Sequence, residues 1–174
     1  YSYKDSKTGI EIHKYGSHIF HTNNEAVWEF VSGFGEFHNY EHRVFSRYGG
    51  EYYSLPINLH ALSQFFNAPL SPQQARERIA EGNKVSTEKP GSFEEAAIGA
   101  IGPDLYKAFF QGYTQKQWQT DPRELPAELF GRLPVRFNFD SRYFADKYQK
   151  IPTDGYGSLI ANLLDHRSIK VETG

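Results

Sequence analysis

Ser71-Pro72-Gln73-Gln74 and Ser92-Phe93-Glu94-Glu95 both carry the spacing of a helix capping box, a serine followed three residues later by a Gln or Glu. In the first, Pro72 suits the opening helical position, where its missing N–H is no loss and its φ is already set. That helix is expected to run to about Glu81, ahead of Gly82. Leu59, Leu62, Phe65 and Phe66 mark a shorter helix before it. The helix after Ser92 is expected to pause at Gly102-Pro103 and resume over 104–112. Residues 57–118 are thereby constrained to be mostly helical. Pro122, Pro126 and Pro134 punctuate 120–137, and each removes a backbone donor, so long regular elements are disfavoured there.

Strand signals flank the helical stretch. Arg43–Tyr48 and Glu51–Leu55 read as a hairpin closed by Gly49-Gly50, which reach positive φ without strain. Residues 9–15 alternate apolar and polar, as a strand does. Thr22-Asn23-Asn24-Glu25 reads as a capping box for a helix over 23–32, ended by Gly33 and Gly35. Further along, short strands are expected at Arg136–Phe139 and Ser141–Phe144, a helix over 157–165 and a strand at Ile169–Val171. The expected fold class is α+β.

The chain has 174 residues, one domain's worth. Nineteen Lys and Arg against 21 Asp and Glu leave a net charge of −2, without the basic excess that non-specific nucleic-acid binding needs. Cysteine is absent, which excludes a disulfide framework, a thiolate metal site and a cysteine nucleophile. No apolar run reaches the roughly 20 residues that span a bilayer. Methionine is absent too, including at position 1, and the expectation is of an internal piece of a longer protein. Phe and Tyr number 14 and 12, enough to build a core and to offer π faces to a flat ligand.

His18-Ile19-Phe20-His21 lies between a strand and a helix. It reads either as a pair of imidazoles at a strand end, where α/β ligands dock, or as packing at the start of a helix. A metal there would need more ligands than the spacing offers, and no metal site is expected. Phe109-Phe110-Gln111-Gly112-Tyr113-Thr114-Gln115-Lys116-Gln117-Trp118 interleaves aromatics with polar residues. The pattern suits stacking on a base and bonding its edge, or equally a helix end feeding the core. Arg132-Leu133-Pro134-Val135-Arg136 sets two guanidinium groups in a Pro-containing segment; they serve either phosphate or solvent. No glycine-rich phosphate loop of the dinucleotide or P-loop type occurs.

Tyr15-Gly16-Ser17-His18-Ile19-Phe20-His21-Thr22, Ser54-Leu55-Pro56-Ile57-Asn58-Leu59, Phe109–Trp118 and Arg132–Phe137 stand together in the order found in bacterial UDP-galactopyranose mutases, and the chain resembles that family over essentially its whole length. The resemblance implies an isomerase that interconverts UDP-galactopyranose and UDP-galactofuranose, in galactofuranose biosynthesis for the cell wall. It implies reduced FAD as the cofactor, with flavin N5 attacking the anomeric carbon and displacing UDP. It implies that His18 and His21 face the flavin. Phe109, Phe110, Tyr113, Thr114 and Trp118 would form the uridine site, with Tyr113 stacking on uracil. Arg132 would close onto the diphosphate, and Tyr143 would bond a phosphate. Arg132 and His21 are the expected catalytic residues, and Arg136 is expected to be structural. His42 stands where some members have Asn.

On this resemblance 1–41 is a flavin-proximal strand and helix segment and 42–56 a hairpin of the sheet domain. Residues 57–119 are a helical substrate domain, 120–137 a mobile lid and connection, and 138–174 a sheet-domain segment with a helix. The family's N-terminal Rossmann FAD phosphate-binding unit is not found in the sequence. The chain alone is therefore expected to lack FAD and to be inactive. No nucleic-acid or membrane partner is expected; the full-length parent is expected to be a cytoplasmic homodimer. The readings left open beside the mutase are a non-catalytic nucleotide-sugar binding module and a flavin oxidoreductase of the amine-oxidase type.

Overall fold

The structure is a computed structural model that describes residues 2–83, 89–132 and 135–172. Along the chain come β1 (Ser2–Lys4), β2 (Glu11–His13), β3 (Phe20–Thr22), α1 (Glu25–Ser32), β4 (Phe37–Asn39), β5 (Val44–Tyr48) and β6 (Glu51–Leu55). Then come α2 (Leu59–Phe65), α3 (Pro72–Gly82), α4 (Phe93–Ile101), α5 (Pro103–Leu105), a π-helical turn (Tyr106–Gln111), α6 (Gly112–Trp118) and a 3-10 turn (Ala127–Arg132). β7 (Tyr148–Pro152) and α7 (Gly155–Leu164) close the series. The fold class is α+β, and the described strands pair antiparallel throughout. The chain divides into two compact units, Tyr1–His42 with Phe144–Gly174, and Arg43–Tyr143.

In the first unit β7 is the centre of a three-stranded sheet in the order β3-β7-β4. Its register sets His21 opposite Gln149 and His38 opposite Ile151. β1 and β2 form a separate hairpin, and α7 joins it through the Gly157 N–H, which donates to the Ser2 hydroxyl at 3.3 Å. An aromatic cluster seats α1 on the sheet. Trp28 stacks on Tyr148 at 5.0 Å and meets Phe37 edge-on at 5.2 Å, with Phe20 beside both Trp28 and Phe37. Asn24, not Thr22, is the N-cap of α1: its side chain accepts from the Val27 N–H, while Thr22 Oγ1 accepts from the Asn24 N–H one step earlier.

The second unit holds the main core. Ile57, Leu59, Leu62, Phe93, Leu105, Phe109 and Phe110 are buried together, with Tyr53 reaching in from the hairpin. β5 and β6 pair from Val44–Leu55 to Tyr48–Glu51, and Gly49 and Gly50 both take positive φ at the turn, as expected. The Ser71 capping box forms in full: Ser71 Oγ accepts from the Gln74 N–H, and Gln74 Oε1 accepts from the Ser71 N–H at 2.8 Å. At Ser92 only half forms, because Glu95 turns to the Gly91 N–H instead. The helix after Gly102 runs to Trp118, beyond the expected end at 112.

Two expected strands of this region do not form. Arg136 inserts its guanidinium into the turn that comes after it, donating to the carbonyls of Asp140, Arg142 and Tyr143. Carbonyls drawn to one side chain are not free for a ladder, so 140–143 is irregular, while the Arg136 N–H and the Asn138 carbonyl bond to Ile57 and Leu59. Arg76 lies 3.8 Å over the Phe137 ring and seats that segment on the core. Ile169–Val171 also forms no strand. Conversely β1, β3, β4 and β7 are additional to the expected strands; the first three are runs of three residues, which carry almost no alternation signal.

Candidate functional site

The residues singled out by the sequence fall into two sets, one in each unit. In the second unit the π-helical turn decides which aromatics are core and which are surface. A π turn adds a residue to the helical repeat and rotates the side chains beyond it; such turns occur often at functional sites. Phe109 and Phe110, inside the turn, are buried: Phe109 meets Tyr53 at 5.0 Å and Phe65 at 5.5 Å, and Phe110 meets Phe130 at 5.6 Å. Tyr113 and Trp118, past the turn, are 41% and 46% exposed. Thr114 is buried between them, and its hydroxyl has no hydrogen-bond partner among the described residues.

Tyr143 joins this face of the unit. Burial, then a hydrogen bond to Tyr113, pushes its hydroxyl up to about 12. That bond, like burial, favours the protonated form of the hydroxyl. Arg136 does the supporting work, since its guanidinium holds the turn that ends at Tyr143. Asp140 braces the same turn. The Arg142 guanidinium bonded to it, with Arg136 nearby, holds its carboxyl down at about 2. Arg132 closes the 3-10 turn, but its side chain lies outside the described part, as do Leu133 and Pro134.

In the first unit His18 and His21 do different things. His18 sits after a turn whose Gly16 runs at φ +100, with open space where a Cβ would stand. The His18 N–H donates to His13 Nδ1 at 3.0 Å, and His18 Nδ1 lies 2.7 Å from the Gly16 carbonyl. Tyr156 contacts both imidazoles edge-on. An open cavity of about 510 Å³ is lined by Gly16, His18, His13, Glu11, His38 and Tyr40, among others. A backbone without a Cβ beside flat, polarizable rings is suited to the close approach of a planar ligand.

His21, on β3, is clamped instead. Phe144 stacks on its ring at 3.8 Å and 15°, and Asp146 bonds its Nδ1 at 2.7 Å. His42 also lies against Phe144, at 6.0 Å between ring centroids, and Tyr40 bonds its Nδ1 at 3.4 Å. Phe144 and Asp146 are the site residues that sequence reasoning missed. Asp146 stands 125 positions from His21, and no spacing rule connects them. Among the described residues no group of His, Asp and Glu could hold a metal ion, and no helix is long and apolar enough to cross a membrane.

Comparison with known proteins bears on both units. The family model of UDP-galactopyranose mutase matches residues 108–174. The chain is 50% identical over its full 174 residues to the dTDP-fucopyranose mutase of Escherichia coli, covering 46% of that protein. It is 47% identical over 172 residues, 99% of the chain, to a probable UDP-galactopyranose mutase of Klebsiella pneumoniae, covering 45% of it. The UDP-galactopyranose mutase of Mycoplasma genitalium is 26% identical over 181 residues, with 99% of the chain and 44% of the relative covered. The chain spans somewhat less than half the length of the curated relatives it matches. The resemblance to UDP-galactopyranose mutases runs along the whole chain, beyond the segment that the family model matches.

Proposed function

We propose that this chain is the substrate-facing portion of a flavin-dependent sugar-nucleotide mutase, an isomerase that interconverts the pyranose and furanose forms of a hexose carried on a pyrimidine nucleoside diphosphate. The observation that carries the proposal is the face formed after the π turn. Tyr113 and Trp118 are exposed on α6, Thr114 on the same helix holds a hydroxyl with no partner among the described residues, and Tyr143, on a loop, is bonded to Tyr113. Tyr113 stacks on the base with Trp118 beside it, and Thr114 bonds a polar edge. Phe109 and Phe110 set the floor from within the core. Tyr143 bonds a phosphate oxygen, and Arg132 neutralises the charge that develops on the departing diphosphate.

The residues of the first unit fit one face of a flavin ring. Gly16 gives the backbone room, and His18, His13 and Tyr156 line the approach. The pyrophosphate of a dinucleotide has no glycine-rich cradle in this sequence, so it would be held by segments outside it. When bound, reduced flavin supplies an electron-rich nitrogen for the anomeric carbon. His18 and His21 would orient that ring and exclude water from it.

UDP-galactopyranose with UDP-galactofuranose is the substrate pair suggested by the names of the Klebsiella and Mycoplasma relatives. A second reading, a dTDP-linked 6-deoxy sugar, is favoured by the 50% identity to the dTDP-fucopyranose mutase. Titration of the chain with UDP and with dTDP, monitored by tryptophan fluorescence, tests the proposal. Saturable quenching that Tyr113→Ala weakens is the expected result, and the tighter nucleotide identifies the substrate class. No saturation by either nucleotide, or an affinity untouched by Tyr113→Ala, overturns the assignment of the base site.

A further inference from the structure

We infer that Asp146 is the positioning residue of His21, holding the imidazole as its Nδ1–H tautomer and leaving Nε2 as the ring's acceptor. The Lys147 backbone N–H can only donate. It donates to Asn23 Oδ1 at 2.8 Å, which orients the Asn23 amide. Asn23 Nδ2 is then the donor in its 2.7 Å bond to Asp146 Oδ1. The second carboxylate oxygen, Oδ2, lies 2.7 Å from His21 Nδ1. A carboxylate only accepts, so Nδ1 must carry the proton, and in the neutral ring Nε2 carries the lone pair. The Lys147 amide thus fixes, through Asn23, the carboxylate that sets the tautomer of the imidazole.

The plane of the ring is set as well as its proton. Phe144 stacks on His21 at 3.8 Å, and Gln149 Nε2 ties down the loop that bears both clamping residues, donating to the carbonyls of Phe144 at 3.2 Å and Asp146 at 3.0 Å. Gln149 is also the residue opposite His21 across the β3–β7 pair, so one strand register carries the whole clamp. A carboxylate on one ring nitrogen of a histidine fixes the ring's tautomer and orientation and leaves the other nitrogen as the functional one. That His21 faces the flavin rests on the proposed function; its tautomer does not.

Long-range 1H–15N spectroscopy of the folded chain, at a pH where the imidazole is neutral, reads the tautomer directly. His21 is expected to show a protonated Nδ1 and an unprotonated Nε2. In Asp146→Asn, Asn23 keeps the Oδ1 bond and the new amide N–H2 faces His21, so Nδ1 becomes the acceptor and the population shifts to Nε2–H. Asp146→Ala removes the preference and gives a mixture weighted to Nε2–H. In Phe144→Leu the tautomer persists while the ring-current shift of the His21 ring protons is lost. A wild-type His21 with Nε2–H dominant, or a tautomer unmoved in Asp146→Asn, overturns the inference. Nucleotide titration is blind to this result, so the two readings fail separately.

Discussion

The Tyr143 hydroxyl is hydrogen-bonded to Tyr113, and burial together with that bond pushes it up to about 12. The bond links a residue on an irregular loop to the first exposed aromatic after the π turn. Tyr143→Phe keeps the ring and removes the bond. A neutral intramolecular hydrogen bond is worth about 0.5–1.5 kcal/mol of stability, so the unfolding midpoint is expected to fall accordingly, and nucleotide affinity to fall several-fold as the phosphate contact given to Tyr143 is lost. An unchanged Kd by the fluorescence titration would contradict the role given to this pair.

The two ends of the aromatic segment are expected to separate stability from binding. Phe109 is buried against Tyr53 and Phe65, so Phe109→Ala leaves a cavity and costs about 3–5 kcal/mol in urea unfolding. Trp118 is 46% exposed. Trp118→Ala is expected to cost little stability but about 1–3 kcal/mol of nucleotide binding, the range for loss of one base–aromatic stack. Equal stability losses in the two variants would refute the division.

Asp140 makes the second unit sensitive to acid. Its carboxyl is lowered from 3.8 to about 2, first by the hydrogen bonds from Arg142. A lowered folded-state value means that the unfolded chain binds the proton more readily. The contribution is therefore full above the unfolded value of 3.8 and is lost as pH falls towards about 2. Stability measured across that window is expected to fall less steeply in Asp140→Asn than in the wild type. Parallel curves would show that the Arg142–Asp140 pair does not contribute.

Ser71 accounts for two backbone donors at the start of α3, one through its hydroxyl and one through Gln74. Ser71→Ala is expected to cost about 1 kcal/mol, and Ser71→Gly a few tenths, by chemical denaturation. The same loss on Ser71→Gly and Ser71→Ala would mean that the cap acts through the unfolded chain instead.

Elements whose signals are local were legible from residue types alone. Ser71-Pro72 starts a helix because the side chain and ring act on the adjacent backbone, and Gly49-Gly50 closes a hairpin because the turn needs positive φ at those two positions. The helical stretch after Leu59 and the Pro-punctuated segment near 122–126 arise from the same short-range chemistry. The grouping of Tyr113, Thr114 and Trp118 was also legible, since it lies within one turn and a half of helix.

Pairings over long separations were decided only by the tertiary structure. The β3-β7-β4 sheet joins three strands of weak pattern, and it forms because the register gathers Phe20, Phe37 and Tyr148 around Trp28. Arg136 removes the strand expected at 141–144 because its guanidinium takes the carbonyls of Asp140, Arg142 and Tyr143. The sorting of Phe109 and Phe110 into the core and Tyr113 towards solvent depends on a π turn that no spacing announces. Sequence by itself determined where the chain turns and where aromatic and charged side chains cluster, because those properties belong to single residues and their neighbours. Which imidazole is clamped, and by which carboxylate, was settled by packing alone, since the energy of that contact exists only once residues 125 positions apart are brought together.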